Sequence, residues 1–269
     1  MLCNVDEHYV AIDCSHGTAC KQISDTYAVC DHSGGSPLKK KMTGPPKRIT
    51  ENSNDGGDPR NTTWIEFYEA ITACDFPAPD FSQYQAFIKW AKPAGDISSK
   101  RELAMFLAEI IWESGGLQHK RELRCMESIK EMKQCYKDYK QPENYPQDVV
   151  YFGRGYIQLT WHYNYEEASQ DLYGDNRLLQ NPDMVASSEE VAWATAFWFW
   201  KKRVHSNKDV QNGLFGAATN LINGGLECNW EGGHIKSQKR FLVYEKVYKA
   251  FQLEGTPDER GCYEYQYEE

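Results

Sequence analysis

Between Ser98 and Gly116 the chain carries the pattern that most limits what it can fold into. Ser98 and Ser99 are residues that start helices, and Glu102 follows Ser99 at the spacing of a capping box. Leu103, Phe106, Leu107, Ile110 and Ile111 then recur every three or four positions, which predicts a helix buried along one side. In Trp112-Glu-Ser-Gly-Gly116, Glu113 stands where the apolar stripe runs out, and the two glycines let the chain turn sharply. A second carboxylate, Glu122, follows nine residues later. Fully extended, those steps would span roughly 30 Å; a turn at the glycines brings Glu122 back to face Glu113. Two carboxyls across a cleft suit glycosidic bond cleavage, one protonating the leaving oxygen and the other activating water. Charged side chains are mostly solvated, so spacing alone does not distinguish this pair from the other acidic residues.

Three later segments add to it. From Tyr151 the chain reads Tyr-Phe-Gly-Arg-Gly-Tyr-Ile-Gln-Leu-Thr-Trp-His-Tyr-Asn-Tyr165, followed by Ala196-Phe-Trp-Phe-Trp200 and Thr219-Asn-Leu-Ile-Asn-Gly-Gly-Leu-Glu-Cys228. Taken in order with Trp112-Glu-Ser-Gly-Gly116, these blocks resemble glycoside hydrolase family 19, the lysozyme-like chitinases of plants and bacteria. The resemblance runs from Trp64 to Cys262. It implies that Glu113 is a general acid and that Glu122 is the general base of a compact, short-loop member. By the same resemblance Thr160, which replaces a serine, helps to hold the attacking water through its hydroxyl. Gln158, Tyr163, Asn164 and Asn223 match positions that bind the sugar chain or order the carboxylates. Arg240 resembles an arginine that pairs near the base.

Two residues depart from the family pattern. Trp112 stands in place of a histidine and Tyr156 in place of a proline, which implies an altered subsite shape. Lys120 and Arg121 directly precede Glu122 and either favour its ionised form or point to solvent. The implied mechanism is inversion by single displacement, with the carboxyls roughly 6.5–9.5 Å apart so that one water fits beneath the sugar. Glu113 must then carry a proton at rest, aided by Trp112 and the apolar helix end.

No cofactor is expected. The seven histidines are scattered, no His/Cys set has zinc-ligand spacing, and neither a P-loop nor a GxGxxG element occurs. Eight tryptophans and seventeen tyrosines fit a sugar substrate, since ring faces pack against the apolar faces of sugars. Trp193, Trp198 and Trp200 read as core. Trp161, Tyr163 and Tyr165 alternate beside Gln158 and Thr160 and read as a cleft lining.

After residue 62 the acidic residues outnumber the basic ones, 31 to 23. An acidic body argues against nucleic acid, and no apolar run is long enough to span a membrane.

Nine cysteines suggest an oxidising compartment and secretion. Cys3, Cys14, Cys20 and Cys30 crowd a segment too poor in apolar residues for its own core, so two disulfides are expected to hold it; Cys-x(5)-Cys and Cys-x(9)-Cys spacings suit zinc poorly. Asp13-Cys-Ser-His-Gly-Thr-Ala-Cys20 resembles part of small fungal chitin-binding modules. The start at Met1 lacks an apolar signal segment, as expected if a leader has been removed or the chain begins inside a longer protein.

Residues 33–62, rich in Gly, Ser, Pro and Lys, read as a linker ending at the sequon Asn61-Thr62-Thr63. Cys228 and Cys262 match a bridge of plant relatives. Cys74 resembles the plant cysteine that bonds to the region of Cys125. The expected pairing is therefore Cys74–Cys125 with Cys135 free, a Cys125–Cys135 loop being the alternative.

The fold class expected is mainly α: a lysozyme-like, two-lobed helical catalytic domain over 63–269, after a small disulfide-rich, chitin-binding module at 1–32 and the linker at 33–62. The activity implied is endo-hydrolysis of β-1,4-linked N-acetylglucosamine by a monomer whose partner is chitin or chito-oligosaccharide. The alternatives are an inactive chitin-binding lectin and an endolysin-like peptidoglycan hydrolase.

Overall fold

The computed structural model describes residues 61–147 and 149–263, together with the backbone of four strands in the first 31 residues. The chain divides into two units, Met1–Ser53 and Asn54–Glu269. In the first, β1 (Leu2–Val5) pairs antiparallel with β2 (His8–Ala11), and β3 (Ala19–Ser24) with β4 (Tyr27–Asp31), where Cys20 and Cys30 occupy partner positions. The side chains of the four N-terminal cysteines lie outside the described residues, as do positions 33–60 of the expected linker.

The second unit is helical, as expected. Its elements are α1 (Trp64–Thr72), α2 (Phe81–Trp90), α3 (Lys100–Ser114), α4 (Arg124–Glu127), α5 (Ile129–Asp138), α6 (His162–Tyr173), α7 (Arg177–Gln180), α8 (Met184–Ser187), α9 (Glu189–Arg203), α10 (Lys208–Gln211), α11 (Phe215–Glu227) and α12 (Glu231–Ala250). Among the described residues no helix is long and apolar enough to cross a membrane. Thr63 and Glu66 form a reciprocal capping box at the start of α1, and Asn61 of the sequon is exposed.

Helix α3 is the axis of this unit. Ser99 caps it by accepting from the Glu102 amide, but only half of the expected capping box forms. The Glu102 carboxylate instead accepts from Trp200 Nε1 at 2.8 Å and meets His205 Nδ1 at 2.7 Å. Burial also differs from the expected single face: every residue from Glu102 to Ile111 is buried. The reason is packing from several sides, by α2 and α9 through Phe106 and by α11 and α12. Ala104, Met105 and Ala108 are small or adaptable enough to fill the faces that an exposed helix would give to polar residues. Each large apolar side chain removed from water here contributes roughly 1.5–3 kcal/mol.

The core reading of Trp193, Trp198 and Trp200 holds: all three are buried on α9. Phe197 of the same helix stacks on Phe106 with centroids 4.0 Å apart. Ser188 caps α9, Glu189 and Glu190 lie in its first turn, and Lys201, Lys202 and Arg203 in its last, all complementing the helix dipole.

Two disulfides join described cysteines. Cys228–Cys262 pairs as the resemblance implied. The expected Cys74–Cys125 bridge does not form: Cys125 bonds Cys135, and Cys74 is free. The Cys74 thiol instead donates to the Ala70 carbonyl within its own helical region, and burial pushes its pKa up to about 11. Cys125 on α4 and Cys135 on α5 meet because these helices pack on one another, which leaves no unpaired cysteine among the other described residues for the thiol at the end of α1.

Candidate active site

Glu113 occupies the last turn of α3, and the chain leaves that helix through a Schellman turn. Gly116 N donates to Ile111 O at 2.8 Å and Gly115 N to Trp112 O at 3.4 Å. Gly115, Gly116 and Leu117 all have positive φ, 59°, 70° and 66°. A Cβ on Gly116 would come within 2.1 Å of Phe76 Cγ. Gly116→Ala therefore combines left-handed strain of roughly 1–2 kcal/mol with overpacking of about 1–3 kcal/mol. Thermal denaturation is expected to show a clear loss of stability, and an unchanged melting temperature would contradict this account of the turn.

The carboxylate of Glu113 is 19% exposed, and its Oε1 lies 2.7 Å from Arg240 Nη1. Arg240, on α12, is fully buried and gathers three glutamates. Its Nε and Nη2 form a fork on Glu227 at 3.1 and 2.6 Å, and Nη1 donates to Glu109. The Glu113 contact lies off the N–H direction, so Glu113 Oε1 is an ion partner of the guanidinium without a hydrogen bond. Burial opposes the charge of Arg240, but Glu109, Glu113 and Glu227 outweigh it and raise its pKa. Asn223 donates to Glu227 Oε1 at 2.8 Å from a non-helical position inside α11. Thr219 Oγ1 donates to Glu109 Oε1 at 2.8 Å.

Glu122 is held by a different set of groups. Residues 120–122 run against 153–155: Glu122 N donates to Gly153 O at 2.9 Å, Gly155 N to Lys120 O at 3.0 Å, and Arg121 and Arg154 form an antiparallel bridge. Arg154 pairs in turn with Leu159, which folds 153–160 into a tight turn. The Glu122 carboxylate, 22% exposed, accepts from Tyr139 Oη at 2.8 Å, the Gly153 amide at 3.3 Å and Arg124 Nε at 3.3 Å. Burial and the bond to Glu122 push the Tyr139 hydroxyl up to about 12. Tyr139 thus stays a donor across the working pH range.

Around this carboxylate lie most of the other expected site residues. Gln158, at φ 56°, donates to Gly155 O, and Thr160 Oγ1 donates to Gln158 O at 2.7 Å. A Cβ on Gly153 would lie 2.9 Å from Gln158 Oε1 and 3.4 Å from Thr160 Oγ1, so both side chains cover the glycine that binds Glu122. Trp161, 39% exposed, sets its ring edge-on to Tyr139 with centroids 5.2 Å apart. Tyr163 is 50% exposed, and Asn164 donates to Thr160 O.

Several expectations need correction. Arg240 binds the Glu113 side of the site rather than the surroundings of Glu122, because α12 packs along α3. Lys120 and Arg121 neither support Glu122 nor point freely to solvent; they pair with Glu189 and Asp183, and Arg124 is the cation on Glu122. Tyr156 shapes no subsite: it is buried against Trp193, accepts from Gln83 at 2.8 Å and donates to Glu189 at 2.6 Å. Tyr165 is also buried and donates to Phe152 O at 2.7 Å, so it leaves the lining expected for it.

Sequence reasoning missed Glu109, Glu227 and Tyr139. A charged residue within the apolar stripe of α3 signalled Glu109, and Glu227 lay inside a quoted block; nothing local marked Tyr139.

The family model described as chitinase class I matches residues 68–213. The chain belongs to glycoside hydrolase family 19. Among its family 19 relatives, acidic endochitinase SP2 of Beta vulgaris is 33% identical over 69% of this chain and 64% of its own length. Endochitinase 1 of Theobroma cacao is 34% identical over 70% of this chain and 67% of its own. The chain thus spans just under two thirds of the first relative. Chitinase C from Streptomyces griseus HUT6037 has a similar structure, with TM-score 0.57 and 28% identity over 73% of this chain and 81% of that one. A class IV family 19 chitinase from Zea mays aligns with TM-score 0.51 and 26% identity, covering 77% and 90%.

Proposed function

We propose that this family 19 member is an endo-acting chitinase that hydrolyses β-1,4-N-acetylglucosamine linkages with inversion. Glu113 serves as the general acid and Glu122 as the general base. The observation that carries the reading is the separate anchoring of the two carboxylates. Glu113 stands at the end of a buried helix over Arg240, whereas Glu122 rests on the 153–155 backbone under Tyr139. Disjoint supports let each group keep its own protonation state, as an acid and a base working on opposite faces of one bond require.

In this reading the proton on Glu113 passes to the leaving glycosidic oxygen while Glu122 takes one from the attacking water. Arg124, Tyr139 and the Gly153 amide all donate to the Glu122 carboxylate and so fix its orientation as an acceptor. Thr160 and Gln158, which cover the glycine that binds Glu122, are assigned to orient that water, and the exposed Trp161 and Tyr163 to pack against sugar. Asn164 braces the Thr160 backbone, and Asn223 with Arg240 secures the Glu113 side. Residues 1–32 are assigned to chitin contact and 63–269 to catalysis, in a secreted monomer.

Proton NMR of early products from a soluble chito-oligosaccharide tests the stereochemistry. The α-anomer is expected first, and an initial β-anomer would exclude single displacement.

A further inference from the structure

Three carboxyls surround one guanidinium beneath Glu113. The fork between Arg240 and Glu227 is a neutral pair, supported by Asn223. Glu109 is an additional buried acid, and among the described residues the cation it meets is that same Arg240. It lies four residues before Glu113 on the same helix, so the two project from one face a single turn apart. Both approach the same nitrogen, Arg240 Nη1: Glu109 receives its hydrogen bond, and Glu113 lies 2.7 Å away without one. With Arg240 already balanced by Glu227, ionising both Glu109 and Glu113 would leave two negative charges unbalanced, one of them on fully buried Glu109.

We propose that Glu109 is a positioning residue for the reaction: it shares Arg240 Nη1 with Glu113, so the two carboxyls exchange charge with solvent as one unit and Glu113 retains the proton it delivers. The proposal rests on the assignment of Glu113 as general acid. The groups facing the pair are Arg240 from α12, Glu227 and Thr219 from α11, and each other on α3. Burial, opposed by Arg240 and Thr219 and reinforced by Glu113, pushes Glu109 up to about 7, which agrees with a shared proton.

Glu109→Gln keeps one oxygen to accept from Arg240 Nη1, lets its amide donate to the Thr219 hydroxyl, and removes the charge. The alkaline limb of kcat/KM on a soluble chito-oligosaccharide is expected to move toward acid by about one pH unit, lowering the rate above that limb about tenfold. The acid limb should stay in place, and Glu109→Asp, which restores a carboxylate, should recover part of the shift. A Glu109→Gln profile that superposes on the wild type, or is scaled down equally at all pH values, would overturn the proposal, since a purely structural role predicts that behaviour.

Carboxyl 13C NMR supplies a readout that needs no turnover. The titration midpoint of Glu109 in the wild type should fall in Glu113→Gln by at least about half a unit, and an unmoved midpoint would overturn the coupling. If that midpoint moves while the wild type leaves chito-oligosaccharides intact, the coupling stands and the hydrolytic reading fails.

Discussion

Glu113→Gln is expected to lower turnover of a soluble chito-oligosaccharide by about 10²–10⁴-fold, the contribution typical of a positioned general acid. Glutamine preserves the shape of the side chain and loses only the transferable proton. Glu113 sits at the helix end, partly exposed, in an ion contact that makes no hydrogen bond, so the fold should tolerate the change. Calorimetry with the same oligosaccharide should still detect binding, and the melting temperature should move little. Undiminished turnover would remove Glu113 from the reaction.

Arg240→Met should have the largest effect on stability. The guanidinium is fully buried and neutralises Glu227 through a two-pronged bond while holding Glu109. Removing one member of a buried ionic group leaves its partners uncompensated, at a cost of about 3–5 kcal/mol. The cost depends on pH in a defined direction. Burial already pushes the Glu109 carboxyl up to about 7 in the folded protein, above its ordinary 4.5. As pH rises from 4.5 towards 7, the unfolded chain releases this proton and the folded one keeps it, so this group's contribution to stability falls across that window. Without the arginine, Glu109 holds its proton still more strongly and Glu227 loses the cation that balances it, so the fall steepens. Urea unfolding at pH 4.5 and pH 7 should therefore show a larger deficit for Arg240→Met at pH 7. An equal deficit at both would refute the charge argument.

The helix bearing Glu113 could be read directly from the sequence, because its stripe, its serine cap and its paired glycines are all local signals. The burial of the α9 tryptophans was equally legible from an alanine-rich run of large rings. What escaped depends on contacts between distant segments. Which carboxylate Arg240 meets follows from the docking of α12 along α3, more than a hundred residues apart. Lys120 and Asp183 illustrate the same limit: a charge beside Glu122 in the chain, or beside nothing in particular, finds its partner only after folding. Cysteine pairing failed for the opposite reason. The correct bond was the local one, closed within ten residues, and likeness to relatives pointed past it.

The two proposed reacting groups ride on foundations of unequal tolerance. One belongs to a helix enclosed over ten consecutive positions, where almost any replacement disturbs packing. The other opens a short stretch, residues 122–139, whose side chains mostly face solvent and whose shape is secured by a single covalent loop. Surface replacements there usually cost less than about half a kilocalorie per mole. Adaptation to a new polymer therefore has an inexpensive route along the rim beside Glu122, and an obstructed one beneath Glu113.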